Sequence, residues 1–259
     1  MKVGRLNHAG FVVLVLGAAT VSGCSPASDE TANQAASPQA SVEQQIAPTH
    51  AVQALPMQEQ RSFAFQAAFE GEENPVVEID DSRLRYSPGR LVWIGDRAVL
   101  LSPGENLDKC HACAGALAIH YLEPTGEGFR VIGSWPALIQ GSGYGEPPSD
   151  WSLSDRFAEY PVLVEEGGYT AQGCTSGGVT LTELKPERPV QSALIRTIYS
   201  NQSGFGADSG AEIDGEIVNI QKGVSFDVAY SGSRDFTESW VRRGETWQLR
   251  AGETRMPAC

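Results

Sequence analysis

The sequence predicts a mainly β protein, built as an antiparallel sandwich, barrel or propeller-like meander behind a disordered N-terminal tether. Three observations carry this. Short β-favouring runs recur about every 8–12 residues with Gly-rich turns between them. Ser225-Phe226-Asp227-Val228-Ala229-Tyr230 alternates polar and apolar side chains with period two, as a strand with one buried face does. No stretch sustains the periodicity of a long amphipathic helix. At 259 residues and 41% hydrophobic, the chain is long and apolar enough for a packed core, which excludes wholesale disorder. A formal net charge of -13 argues against nucleic acid, whose phosphates require Lys and Arg. No apolar run is long enough to span a membrane as a helix of the mature chain.

The N-terminus carries an address. Lys2 and Arg5 form a positive region, and Phe11 to Ala19 an apolar stretch too short to span a bilayer but right for a secretory signal. Val21-Ser22-Gly23-Cys24 follows, and this segment resembles the lipobox of bacterial lipoproteins, with Val21 where Leu is commoner. The resemblance covers about the first 25 residues. It implies that residues 1–23 are removed as a signal peptide and that Cys24 is acylated, palmitate included. The alternative is a secretory signal followed by an incidental cysteine. One acyl chain holds a protein only marginally, whereas two or more anchor it firmly. Ser25, where Asp would resemble an inner-membrane retention signal, implies the outer membrane, with the domain facing the periplasm. Cleavage deletes Lys2 and Arg5 and no acid, leaving 17 basic and 32 acidic side chains, or -15. Such a surface repels anionic lipid and attracts cationic partners; read more plainly, it maintains solubility.

Residues 24–60 are rich in Ala, Ser, Gln, Pro and Glu and lack aromatic side chains, which predicts a flexible tether spanning roughly 30–36 Å. A short helix around Ser41 to Gln58 is compatible with the loose spacing of Val42 and Ile46, and His50 reads as solvated. Residues 61–259 form the β-rich domain. Arg90 to Leu101 predicts a hairpin about Gly95-Asp96, and Ala116 to Trp135 a second about Pro124–Gly128. Further strands are expected at Val162–Val164, Val179–Leu184, Ala193–Tyr199, Glu216–Ile220 and Ser225–Tyr230. A last pair, Glu238–Arg242 and Trp247–Arg250, flanks Arg243-Gly244-Glu245. The turn over Ser200–Asp214 is a place to divide the domain, although one continuous β unit is the simpler reading.

Apart from Cys24, four cysteines remain, Cys110, Cys113, Cys174 and Cys259; an even number in an exported chain implies disulfides. Three pairings exist, with Cys110–Cys113 and Cys174–Cys259 preferred and a crossed arrangement as the rival. Cys110-His111-Ala112-Cys113 also admits a redox or a zinc reading, the latter using His111 and His120. A redox thiolate needs a helix N-terminus that the following β-like run does not supply, and an oxidising compartment works against zinc thiolates. A c-type haem is excluded, because Ala114 stands where its His is required. Neither Gly141–Gly145 nor Gly173–Gly177 forms GxSxG, and Pro147-Pro148 denies the former the helix of a phosphate loop. Asp208, Glu212, Asp214 and Glu216 offer oxygen ligands on a Gly-rich loop without the spacing of a known calcium loop. Trp135 and Trp151 flank a Gly/Pro loop carrying Tyr144. Exposed, these three would make a binding surface; otherwise Trp135 ends a buried strand and Trp151 packs beneath the loop.

The folded part resembles exported proteins that carry a CHAC segment, a resemblance that brings no activity with it. The expectation is therefore a non-enzymatic binding module with no catalytic residue, cofactor or metal, held at the outer membrane by its lipid. Its binding residues would be Trp135, Tyr144 and Trp151. Its charge favours a cationic envelope protein, such as a basic wall hydrolase, as partner. The alternatives are an envelope scaffold component, or a redox or metal-dependent enzyme using Cys110 and Cys113.

Overall fold

The computed structural model describes residues 50–126, 128–141, 143–204, 206 and 208–259. Cys24 and the expected signal lie outside the described residues, as does the expected tether up to Thr49. Two antiparallel sheets dominate, one of them curled into a half-barrel.

The first sheet contains β1 (Val76–Ile79), β2 (Ser82–Tyr86), β3 (Arg90–Ile94), β4 (Arg97–Asn106), β5 (Ala116–Thr125) and β6 (Gly128–Gln140). Its order is β1-β2-β4-β5-β6, with β3 pairing another stretch of β4. The turn expected at Gly95-Asp96 joins β3 to β4, with Gly95 at φ +62°, a conformation free of cost only without a Cβ. β4 and β5 read as continuous apolar runs, RAVLL and ALAIHYL, because both of their faces are buried. One face packs under a helix, α1 (Met57–Ala68), where Phe65 and Phe69 meet Leu84, Tyr86, Leu100 and Leu122. On the other face Val99, Leu101, Leu117, Ile119 and Tyr121 meet the second sheet.

That second sheet holds β7 (Trp151–Ser154), β8 (Val162–Ala171), β9 (Cys174–Leu184), β10 (Pro189–Gln191), β11 (Ile195–Asn201), β12 (Glu212–Gln221), β13 (Ser225–Gly232), β14 (Phe236–Arg243) and β15 (Thr246–Leu249). Its order is β15-β14-β13-β12-β11-β9-β8-β7, with β10 also on β9. Leu163 and Leu184 face the first sheet, whereas Val162, Val179 and Leu181 face a separate core with Phe226, Trp240 and Trp247. The expected alternation in β13 is present: Phe226, Val228 and Tyr230 are buried. Ser200–Asp214 does not divide the domain, since β11 and β12 pair across it.

Described structure is present upstream of the expected boundary at Gln60. A 3₁₀ turn at Ala51–Ala54 buries Val52, and Gln60 lies inside α1. Its Nε2 donates to the carbonyls of Gln53 (3.1 Å) and Leu55 (2.7 Å), and its Oε1 accepts from Trp93 Nε1 (2.8 Å). A glutamine at the centre of a buried stripe is the reason composition alone assigns this segment to the tether.

Candidate functional site

Cys110–Cys113 lies in the loop between β4 and β5, with its sulfurs 2.12 Å apart; Cys174 and Cys259 form the other pair, at 2.14 Å. The structure thus joins the preferred pairs rather than the crossed ones. No described helix begins at Cys110, so no helix dipole acts on its sulfur. The loop is laced to the segment Gly141–Glu146. Tyr144 N–H donates to Cys110 O (2.9 Å), Gly145 N–H to Cys113 O (2.6 Å), and Gly115 N–H to Glu146 O (3.0 Å). A Cβ on Gly143 would come within 1.9 Å of His111 O, so close backbone approach accounts for that glycine without phosphate binding or a nucleophile.

The zinc set is not assembled. His111 lies edge-on to Tyr144, centroids 5.2 Å apart, while His120 is buried in β5 beside Phe69. Among the described residues no group of three or more His, Cys, Asp and Glu side chains is placed to hold a metal ion. Burial lowers the His120 pKa to about 4, and its Nδ1 has no hydrogen-bond partner among the described residues. Ser134 stands opposite His120 in the ladder, but no hydrogen bond joins them as a nucleophile and base would require. Asp208, from the proposed calcium loop, pairs instead with Arg234.

The three aromatics of the expected binding loop differ in burial. Trp135 packs edge-on against Tyr121, centroids 5.4 Å apart, and both Trp135 and Trp151 lie half-buried against the core between the sheets. Tyr144 alone is well exposed, at 58%. The large indoles go where apolar area is removed from water, leaving the smaller ring with its hydroxyl outside.

Two grooves border this region. One of about 630 Å³ has a floor of small side chains, Ala114, Ala116 and Ala137, between Cys113 and the exposed Asp80-Asp81 turn joining β1 to β2. The other, about 510 Å³, lies between the end of β6 and strands β8 and β9. Gln140, Gly141 and Pro147–Asp150 line one side of it, and Glu165–Tyr169 with Ser176 and Gly177 the other. Glu165 is only 8% exposed, and its carboxylate, whose oxygens still reach the solvent of the groove, accepts no hydrogen bond and meets no cation among the described residues. Burial, and then the charge of Glu166, raise its pKa above the ordinary carboxylate value. A Cβ on Gly167 would sit 2.8 Å from Glu165 Oε1, which places the carboxylate end beside the bare backbone at Gly167. Asp150 and Glu166 add charge, and Tyr169 and Leu194 add exposed apolar walls.

Glu165 escapes a sequence reading that ends the strand at Val164. The available signal is its phase: position 165 lies two residues beyond the buried Leu163, on the same face of the strand. What the arrangement can do is hold a cation in a partly dehydrated cleft, where charge pairing is worth more than in bulk water. No family model matches this chain, and neither a curated protein nor a solved structure matches it.

Proposed function

We propose that this protein is a lipid-anchored, periplasm-facing binding module that engages a cationic envelope protein through the groove at Glu165. The single observation that carries the reading is the Glu165 carboxylate, unpaired among the described residues on a largely buried side chain that opens into the groove, flanked by Asp150 and Glu166 in a chain of net charge -13. A buried charge without a partner costs stability, and a ligand ammonium or guanidinium would offset that cost. The Val21–Cys24 segment supports anchorage through Cys24.

Decalysine titrated into the purified chain tests the binding. Affinity should fall at least tenfold between 50 and 300 mM salt, and decaglutamate should not bind. Salt-independent binding of decalysine, or equal binding of both peptides, removes the electrostatic reading. Radiolabelled palmitate tests the anchor: it should enter the wild-type chain and not Cys24→Ser, which should leave the membrane fraction. Unlabelled wild-type chain overturns the anchor and leaves the groove as it is.

A further inference from the structure

β7 pairs with β8 only from Trp151↔Glu165 to Ser154↔Val162, and β8 continues to Ala171. The last backbone bond on that side is Glu166 N–H to Asp150 O, 2.9 Å. Upstream of Asp150 the chain is Pro147-Pro148-Ser149. Prolines carry no N–H and cannot extend a ladder, so the segment leaves β8 and opens the groove. Beyond Glu166 the outer edge of β8 has no neighbouring strand among the described residues, and Glu166 to Ala171 are all exposed. Backbone groups in an antiparallel strand alternate between its two sides. Because Glu166 donates toward β7, Gly168 and Thr170 present their N–H and C=O to the open edge.

We propose that this edge receives an extended segment of a basic protein as an added strand, with a Lys or Arg of that segment seated on Glu165. This rests on the reading of the groove as a cation site and adds how the partner is held: main-chain bonds to Gly168 and Thr170 supply length, and Glu165 selects the charged side chain. Charge chooses among occupants. The chain's own residues 25–49 contain Asp29, Glu30 and Glu43 and no Lys or Arg. A second copy meeting edge to edge would bring together two chains that each carry a net charge of -13. An exposed Glu166 by itself is an ordinary device against edge pairing, but such a device has no use for a largely buried Glu165 side chain whose carboxylate is unpaired among the described residues.

The test uses the full chain and three synthetic octapeptides of alternating Lys and Val, one unmodified and two N-methylated on every second residue, one in each frame. N-methylation keeps the charge and removes main-chain donors. The unmodified peptide should bind and slow amide exchange at Gly168 and Thr170. N-methylation in the pairing frame and the Glu165→Gln variant should each weaken binding at least tenfold. Equal affinity for the N-methylated peptides, with loss on Glu165→Gln, overturns strand addition and leaves the cation site standing. No effect of Glu165→Gln overturns both. A dimer in solution that Thr170→Pro converts to monomer would assign the edge to a second copy and overturn the proposal.

Discussion

At the scale of single residues, the sharpest contrast lies between two buried glutamates. Glu238, 5% exposed in β14, accepts from Tyr230 Oη (3.1 Å), Thr254 Oγ1 (3.0 Å) and Arg255 N–H (2.5 Å). Glu165, nearly as buried, accepts nothing among the described residues. The first is a structural acceptor whose charge is answered, and the second stores an unanswered charge. That difference fixes a sign. The folded-state pKa of Glu165 lies above its unfolded value, so its contribution to stability is present at low pH and is lost as pH rises through the folded value. At pH 7 the ionised carboxylate is therefore a net cost. Glu165→Gln should raise the Tm of the free protein at neutral pH. The gain should shrink as pH falls toward the ordinary carboxylate range, where the wild-type residue is protonated as well. Thermal melts of both chains from pH 4 to 8 measure this, and a variant less stable at pH 7 would contradict the unpaired charge.

At the scale of elements, α1 rests on a stripe of Gln60, Ala64, Phe65 and Phe69, with Gln60 as the knot between the 3₁₀ turn and Trp93. A chain beginning at Gln60 should lose about 2–4 kcal/mol against one beginning at Ile46. It forfeits the buried Val52 and the carbonyls of Gln53 and Leu55. Urea midpoints compare the two, and coincident midpoints would show that the turn carries no stability. This helix marks what the sequence conceals. Hairpins with a glycine at the turn, such as Gly95 and Gly244, are legible because a positive φ demands that residue. Strands with one wet face, such as β13, are legible by alternation. A helix whose buried stripe includes a glutamine and an alanine shows neither signal. β8 and β9 extend to a two-residue turn at Gln172-Gly173, with φ +50° and +79°, beyond the apolar runs that reveal their inner halves. Their outer halves are polar and glycine-rich, and the candidate site lies just where hydrophobic patterning stops. Parity of the cysteines predicts two disulfides and leaves their pairing open among three arrangements, which the fold decides, and the placement of Trp135 and Trp151 depends on a partner sheet that no local pattern specifies.

At the scale of the whole molecule, the C-terminal segment closes the second sheet's core. Met256 is buried among Phe226, Trp240 and Trp247, and Arg255 lies over Phe236 at 4.4 Å. Glu238 holds the backbone at Arg255, and Cys259 reaches Cys174 at the start of β9. The two disulfides do different work because their loops differ. A separation of 85 residues removes far more unfolded-chain entropy than one of 3. In the chain-entropy account the long loop is worth about 4–5 kcal/mol and the short one about 2. Cys259→Ser should therefore lower the urea-derived stability by roughly twice as much as Cys113→Ser. The two losses should add in the double variant, since one bond lies in the loop between β4 and β5, the other joins the start of β9 to the C-terminus, and they share no partner. A chain ending at Glu253 should fall further than Cys259→Ser, because it strips Glu238 of Thr254 and Arg255 and exposes the core that Met256 covers. If that truncated chain unfolds at the same urea concentration as Cys259→Ser, the tail acts through its disulfide alone and Glu238 does not hold it.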